Sequence, residues 1–375
     1  MQYDDPSFAA TLVAWQKEHG RHGLPWQNTR DAYLVWLSEI MLQQTQVSAV
    51  LGYYARFLAR FPTLQSLASA PVEDVMAQWA GLGYYTRARN LHKCAQRVVA
   101  EYGGVFPSDP ALLAELPGIG RSTAAAIAAF SSGRRAAIMD GNVKRVFARV
   151  FGIDTFPGER KTEEAMWARA EALAPHEGIE AYTQGLMDMG ATLCTRSKPA
   201  CERCPMQARC IAHASGRTAE LPVRKPKKVS PEKDAHMLLL LDRGQVLLEQ
   251  RPASGIWGGL LSLPELSGHT MLTDHGERAV PGAASQPDDA AIAAAVAAFG
   301  VMESLERLMP VVHVFTHYKL HIKPLLVTLS TRAALASEGR YVWLDAAAVA
   351  EAALPAPIKK ILLELLGERA QARMF

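Results

Sequence analysis

Long apolar runs are missing from this 375-residue sequence. No stretch approaches the roughly 18 uninterrupted apolar residues that a membrane span needs. A secretion signal is missing as well: the opening MQYDDPSFAATLVAWQ puts acid where such a signal needs base, with no apolar core before a cleavage site. A cytoplasmic chain with no membrane partner is expected, and there thiols stay reduced. Cysteine is scarce, five residues in all, which argues against a disulfide-built scaffold. Internal repeats and long low-complexity tracts are absent too. Neither sign of charge dominates, the net being +3. Cations outnumber acids before about residue 230, and acids outnumber cations after it. Charge alone excludes little, but the first part is the one suited to a polyanion.

What is present divides in two. Hydrophobic residues make up 49%, enough for two or three cores. Residues 1–215 read as helix after helix: apolar positions recur at three and four in DAYLVWLSEIMLQQTQVSAVLGYYARFLARF, RARNLHKCAQRVVAEYG and NVKRVFARVFG, separated by Pro and Gly turns. Residues 216–232 are rich in Pro and Lys and read as a linker. From 233 to 375 the period changes. HMLLLLDRGQVLLEQR is two strands around Asp-Arg-Gly, VVHVFTHYKLHIKPLLVTL is a second hairpin, and PDDAAIAAAVAAFG and APIKKILLELLGERA are helical. The expected fold is an all-helical part followed by a smaller α+β domain.

Three features carry chemistry. In LPGIGRSTAAAIAAF a tight turn opens a helix, and its two glycines, Gly118 and Gly120, let backbone N–H groups face an anion such as DNA phosphate. A plain helical corner is the simpler reading of that turn. Glu39 sits among Val35, Trp36 and Leu42 at helical spacing, so its pKa should rise, unless an arginine pairs with it. Asp140 precedes a helical run, so it should cap that helix, with a depressed pKa and a permanent charge. Two carboxyls pushed apart in pKa suit acid-assisted glycosidic cleavage. The third feature is Cys194, Cys201, Cys204 and Cys210, crowded into a C-x6-C-x2-C-x5-C loop. Disulfides, zinc and an iron–sulfur cluster compete for it. Zinc ribbons usually show two C-x2-C pairs, and this loop has one.

LPWQ, VWLSEIMLQQTQV, GLGYYTRARNLHK, LPGIGRSTA, MDGNVKR, MGATLCTRSKPACERCP and IWGGLLSLP resemble, in that order and over nearly the whole length, the adenine-specific glycosylases of the helix–hairpin–helix DNA glycosylase superfamily. The resemblance implies that Glu39 protonates adenine N7. It implies that Asp140 stabilises an oxocarbenium-like sugar and helps deliver water or forms a transient adduct. Gln44 would wedge into the duplex with Tyr84 stacking behind it, Trp26 and Gln184 would line the adenine pocket, and Thr45, Gly118, Gly120 and Ser122 would lie against DNA. Ser122 stands where bifunctional lyases carry lysine, and a hydroxyl forms no Schiff base. The four cysteines would hold a [4Fe–4S] cluster. Cys94 stands apart as a core thiol.

The last part resembles a Nudix domain, but the helix in place of its metal-binding box, DDAAIAAAVAAFG, has no glutamate. Pyrophosphatase chemistry therefore lacks its carboxylates. By the resemblance this part reads 8-oxoguanine through Phe315, Thr316 and His317. The implied activity is monofunctional removal of adenine from A·8-oxoguanine and A·G mispairs in double-stranded DNA, by a monomer. An endonuclease III-like lyase and a non-catalytic iron–sulfur DNA-binding protein are the alternatives.

Overall fold

The computed structural model describes residues 6–225, 230–252, 255–266, 287–315, 317–333 and 339–372. In chain order the helices are α1 (Pro6–His19), α2 (Ala32–Leu42), α3 (Val47–Arg60), α4 (Leu64–Ala68), α5 (Val72–Trp79), α6 (Thr86–Tyr102), α7 (Pro110–Ala114), α8 (Arg121–Ser132), α9 (Gly141–Val150), α10 (Arg160–Leu173), α11 (Ile179–Asp188), α12 (Ile211–Ala214), α13 (Asp289–Val296) and α14 (Ala356–Ala372). The strands are β1 (Glu232–Asp242), β2 (Gln245–Gln250), β3 (Leu261–Ser262), β4 (Gly300–Arg307), β5 (Val311–Val314), β6 (Lys319–Arg332) and β7 (Tyr341–Asp345). The chain divides into two compact units, one of residues 1–70 with 86–227, the other of 71–85 with 228–375.

The first unit is helical. Helix α2 is apolar apart from Ser38 and Glu39, and such a helix belongs in a core. Its Val35, Trp36, Leu37, Ile40 and Met41 are all at most 2% exposed. Asp31 starts it by accepting from Tyr33 N at 2.8 Å. The sequence pattern runs α2 into α3 as one stretch, but the structure breaks it at residues 43–46. Gln44 there takes a left-handed φ of 58°, which a helix cannot hold. The freed carbonyls find a donor on α6. Arg87 Nη1 donates to the oxygens of Ile40, Met41 and Gln43 at 3.0, 2.8 and 2.6 Å. A second core joins α1, α9 and α11 through Phe8, Leu12, Phe147 and Tyr182.

Between α7 and α8 the chain makes the expected hairpin. Ile119 N bonds Leu116 O at 3.1 Å, and Gly118 takes φ 80°. A Cβ at Gly118 would meet Asn90 Cβ at 2.9 Å, so backbone conformation and neighbour both demand glycine.

The second unit is a seven-stranded mixed sheet of order β3-β2-β1-β6-β4, with β5 also on β6 and β7 also on β2. Strand β1 lies between β2 and β6, and its MLLLL run is buried, as a covered central strand requires. It runs parallel to β6, while the other ladders are antiparallel. The Asp-Arg-Gly turn forms as expected, with positive φ at Arg243 and Gly244, the geometry of a two-residue hairpin. The second expected hairpin is β5–β6, in register Val314↔Lys319. Helix α13 carries no glutamate, and its Asp289 pairs with Arg307 at 2.6 Å. Within this unit Tyr85 Oη reaches Leu354 O at 3.5 Å.

Candidate active site

Glu39 is the one charged residue of α2, placed on a helix that burial holds rigid. With Trp26 and Gln184 it lines an open cleft of about 440 Å³ in the helical unit. That volume lies in the range of small-molecule sites. The indole of Trp26 is 8% exposed and set edge-on to Tyr54 at 5.3 Å. Gln184, one turn before the end of α11, donates through Nε2 to Asp188 Oδ1 at 2.8 Å. Asp188 and its partner Arg21 were not singled out from the sequence. The available signal was a lone acid in the apolar LMDMG, and it needed a partner 167 residues away to gain meaning.

Burial pushes the Glu39 carboxyl up to about 8, and the negative charge of Asp140 adds to the rise. At pH 7 Glu39 therefore holds a proton. Asp140 caps α9, accepting from Val143 N at 2.8 Å. Its pKa differs from the sequence expectation. Burial raises it above the ordinary carboxylate value, although N–H bonds from Val143 and Asn142 and the charges of Arg145 and Lys144 all pull it down. The cap is present, but the cost of taking the charge out of water outweighs it. Beside Asp140, Ser122 Oγ accepts from Met139 N at 2.9 Å. Lys144 is engaged by Glu163 at 2.6 Å.

The other expected DNA-facing residues lie elsewhere. Gln44 and Thr45 sit on the loop after α2, and Arg87 Nη2 donates to Thr45 Oγ1 at 3.1 Å. Gly120 stands at the head of α8 with open space beside it. In the second unit Tyr84 is 50% exposed with a left-handed φ of 49°. Phe315 stacks on Tyr318 at 4.6 Å and meets His313 edge-on at 4.5 Å, with Trp257 at 5.8 Å. His317 is exposed, and Thr316 lies outside the described residues. The sequence offered Phe315 but not the aromatic nest around it, which β5, the turn after it and a distant loop bring together.

Cys194, Cys201, Cys204 and Cys210 line one cavity. Helix α9 reaches it from the Asp140 end. Arg145 Nε donates to Cys194 O at 2.7 Å, and Arg149 Nη1 lies 3.4 Å from Cys194 Sγ. Gly190 lets the preceding π-helical turn close on α9, since a Cβ there would meet Asn142 Cβ at 2.6 Å.

Residues 37–172 match the HhH-GPD superfamily base excision DNA repair protein family, 194–210 the iron-sulfur binding domain of endonuclease III, and 236–364 the NUDIX domain. The adenine DNA glycosylase of Buchnera aphidicola subsp. Acyrthosiphon pisum (strain APS) is 33% identical over 95% of this chain and 96% of its own length. The chain belongs to the adenine DNA glycosylase family. The human adenine DNA glycosylase is 35% identical over 70% of this chain and 58% of its own. A solved thermostable thymine-DNA glycosylase, 30% identical, superposes with a TM-score of 0.51 over 56% of this chain and 96% of that one. The family's enzymes hydrolyse N-glycosyl bonds and carry a [4Fe–4S] cluster.

The residues of this glycosylase fit such a cluster. All four cysteines line one cavity, and thiolate sulfur is the ligand such a cluster takes. Burial pushes Cys204 up to about 11, with the neighbouring thiols adding to the rise, so positive iron would be needed to hold that sulfur as a thiolate. No helix among the described residues is long and apolar enough to cross a membrane.

Proposed function

We propose that this glycosylase removes adenine facing 8-oxoguanine or guanine in double-stranded DNA, hydrolysing the N-glycosidic bond and leaving the strand uncut. The observation that carries the reading is Glu39, a carboxyl on the apolar helix α2 that lines a cleft with room for a purine and is near enough to Asp140 to feel its charge.

A flipped adenine enters the cleft against Trp26, with Gln184 at its polar edge. Glu39 gives its proton to N7, which turns the base into a neutral leaving group. The Asp140 carboxylate faces the cationic sugar that develops as the bond breaks, and directs water to it. Ser122 Oγ serves the backbone ahead of Asp140, and no amine takes its place for strand cleavage. The Gln44–Thr45 loop fills the gap left by the flipped base, the exposed ring of Tyr84 is available for stacking on a base, and the turn at Gly118 and Gly120 takes a phosphate. Cys194, Cys201, Cys204 and Cys210 would hold the cluster, which supplies a cross-link that orders a loop too short to fold alone. Residues 1–215 carry the chemistry and 233–375 read 8-oxoguanine through Phe315, Thr316 and His317, with 216–232 as linker. The enzyme works as a monomer in the cytoplasm, on the nucleoid.

Single-turnover assays on duplexes with adenine facing 8-oxoguanine, guanine, cytosine or thymine test this. Free adenine should appear from the first two, with strands cut only after treatment with base. Equal release from all four, or prompt strand scission, contradicts the reading.

A further inference from the structure

Asp188 ends α11 with a carboxylate only 1% exposed. It takes three hydrogen bonds: from Arg21 Nε at 2.7 Å, Arg21 N at 2.9 Å and Gln184 Nε2 at 2.8 Å. An ionised carboxylate can only accept, so the nitrogen of the Gln184 amide must face it. This settles what Gln184 has left. One N–H is used by Asp188. The second N–H and the Oε1 acceptor remain, and among the described residues Oε1 takes no hydrogen bond. Gln184 lines the cleft with this fixed pair of one acceptor and one donor.

The Watson–Crick edge of adenine presents a donor at N6 and an acceptor at N1, which match that pair. Hypoxanthine presents the inverse, an acceptor at O6 and a donor at N1, and would need the amide turned over. Turning it over would set Oε1 against the Asp188 carboxylate. We propose that Asp188 is a positioning residue that sets base specificity: by locking the Gln184 amide in one orientation it makes the cleft select 6-aminopurines over 6-oxopurines. The proposal rests on the reading of the cleft as the base pocket. It leaves N7 free for Glu39.

The test is single-turnover release of adenine and of hypoxanthine placed opposite the same base, with full-length cluster-loaded protein. In Asp188→Asn the new amide can donate to Gln184 Oε1 and the glutamine can turn. The adenine-to-hypoxanthine rate ratio should fall roughly 5- to 150-fold, the range of one bidentate base contact. A purely structural role would slow both bases alike, and an unchanged ratio overturns the proposal. The double variant R21Q/D188N removes the ion pair together and should show the same fall. If neither variant retains its visible absorbance, Asp188 is scaffold and the proposal is wrong. Gln184→Leu separates the two readings. Wild-type adenine release by that variant defeats the base-pocket reading, whereas slow release with an unchanged ratio in D188N defeats only the role of Asp188.

Discussion

Asp140 raises the proton affinity of Glu39, and together with burial, the larger cause, it holds the carboxyl at about 8. Asp140 itself stays bonded to the N–H groups that open α9. The two acids are thus unequal by position: one sits among the apolar residues of α2, the other at a helix N-terminus that favours its charge. The first predictions follow from that inequality.

Glu39→Gln keeps the shape of the side chain and removes its transferable proton. Excision should fall roughly 10²- to 10⁴-fold, the usual loss with a general acid, while mismatch binding stays near wild type. Single-turnover rates and gel-shift titration report the two quantities separately. Near-normal excision by this variant would remove Glu39 from the mechanism.

The pH profile should be bell-shaped. As the proposed acid Glu39 acts only when protonated, and its pKa is raised, so the rate should fall as pH rises through about 8. As the proposed counter-charge Asp140 acts only when ionised, and its pKa is also raised, so the acidic limb should lie above the ordinary carboxylate range. The two limbs belong to the pair rather than to either acid alone. In Glu39→Gln the alkaline limb should vanish from whatever activity remains.

Asp140→Asn removes the charge proposed to face the developing cation but keeps an oxygen able to accept from Val143 N. Excision should drop by at least about 10²-fold with little change in melting temperature, because asparagine caps helices nearly as well as aspartate. Loss of the cluster absorbance in step with activity would show that capping, not catalysis, explains the defect.

Arg87→Met should destabilise the helical unit by about 3 kcal/mol, since three carbonyls at the end of α2 lose a charged donor in a buried place. Urea unfolding of the cluster-loaded protein measures it. A shift below about 0.5 kcal/mol would mean that water takes over the bonds.

Phe315→Ala should reduce the preference for 8-oxoguanine over guanine roughly 5- to 150-fold, the scale of a few contacts to one base. The side chain is held by Tyr318, His313 and Trp257, so it meets a ligand in a set position. Adenine release opposite guanine should hardly change. An unaltered preference would mean that 8-oxoguanine is read elsewhere.

Much of this protein was legible in order along the chain. Three- and four-residue apolar spacing showed the helices, Asp-Arg-Gly showed its hairpin, and Glu39 announced its raised pKa through Val35, Trp36 and Leu42. These are local signals, because helix faces, tight turns and near neighbours are set by residues a few positions apart. The sequence was also right that Asp140 caps a helix. It misjudged the direction of the pKa shift, because depth below the surface depends on what other segments cover.

Tertiary structure alone decided the rest. The break at Gln44, in a stretch read from the sequence as one helical run, is held open by Arg87, 43 residues further on, in α6. The lock on Gln184 needs Arg21 brought from the other end of the unit to Asp188. Phe315 gains its nest from Trp257, a residue on a separate loop. Apolar burial is non-directional, and spacing suffices to encode it; a hydrogen-bonded site is directional, and its partners are known only once the chain has closed on itself.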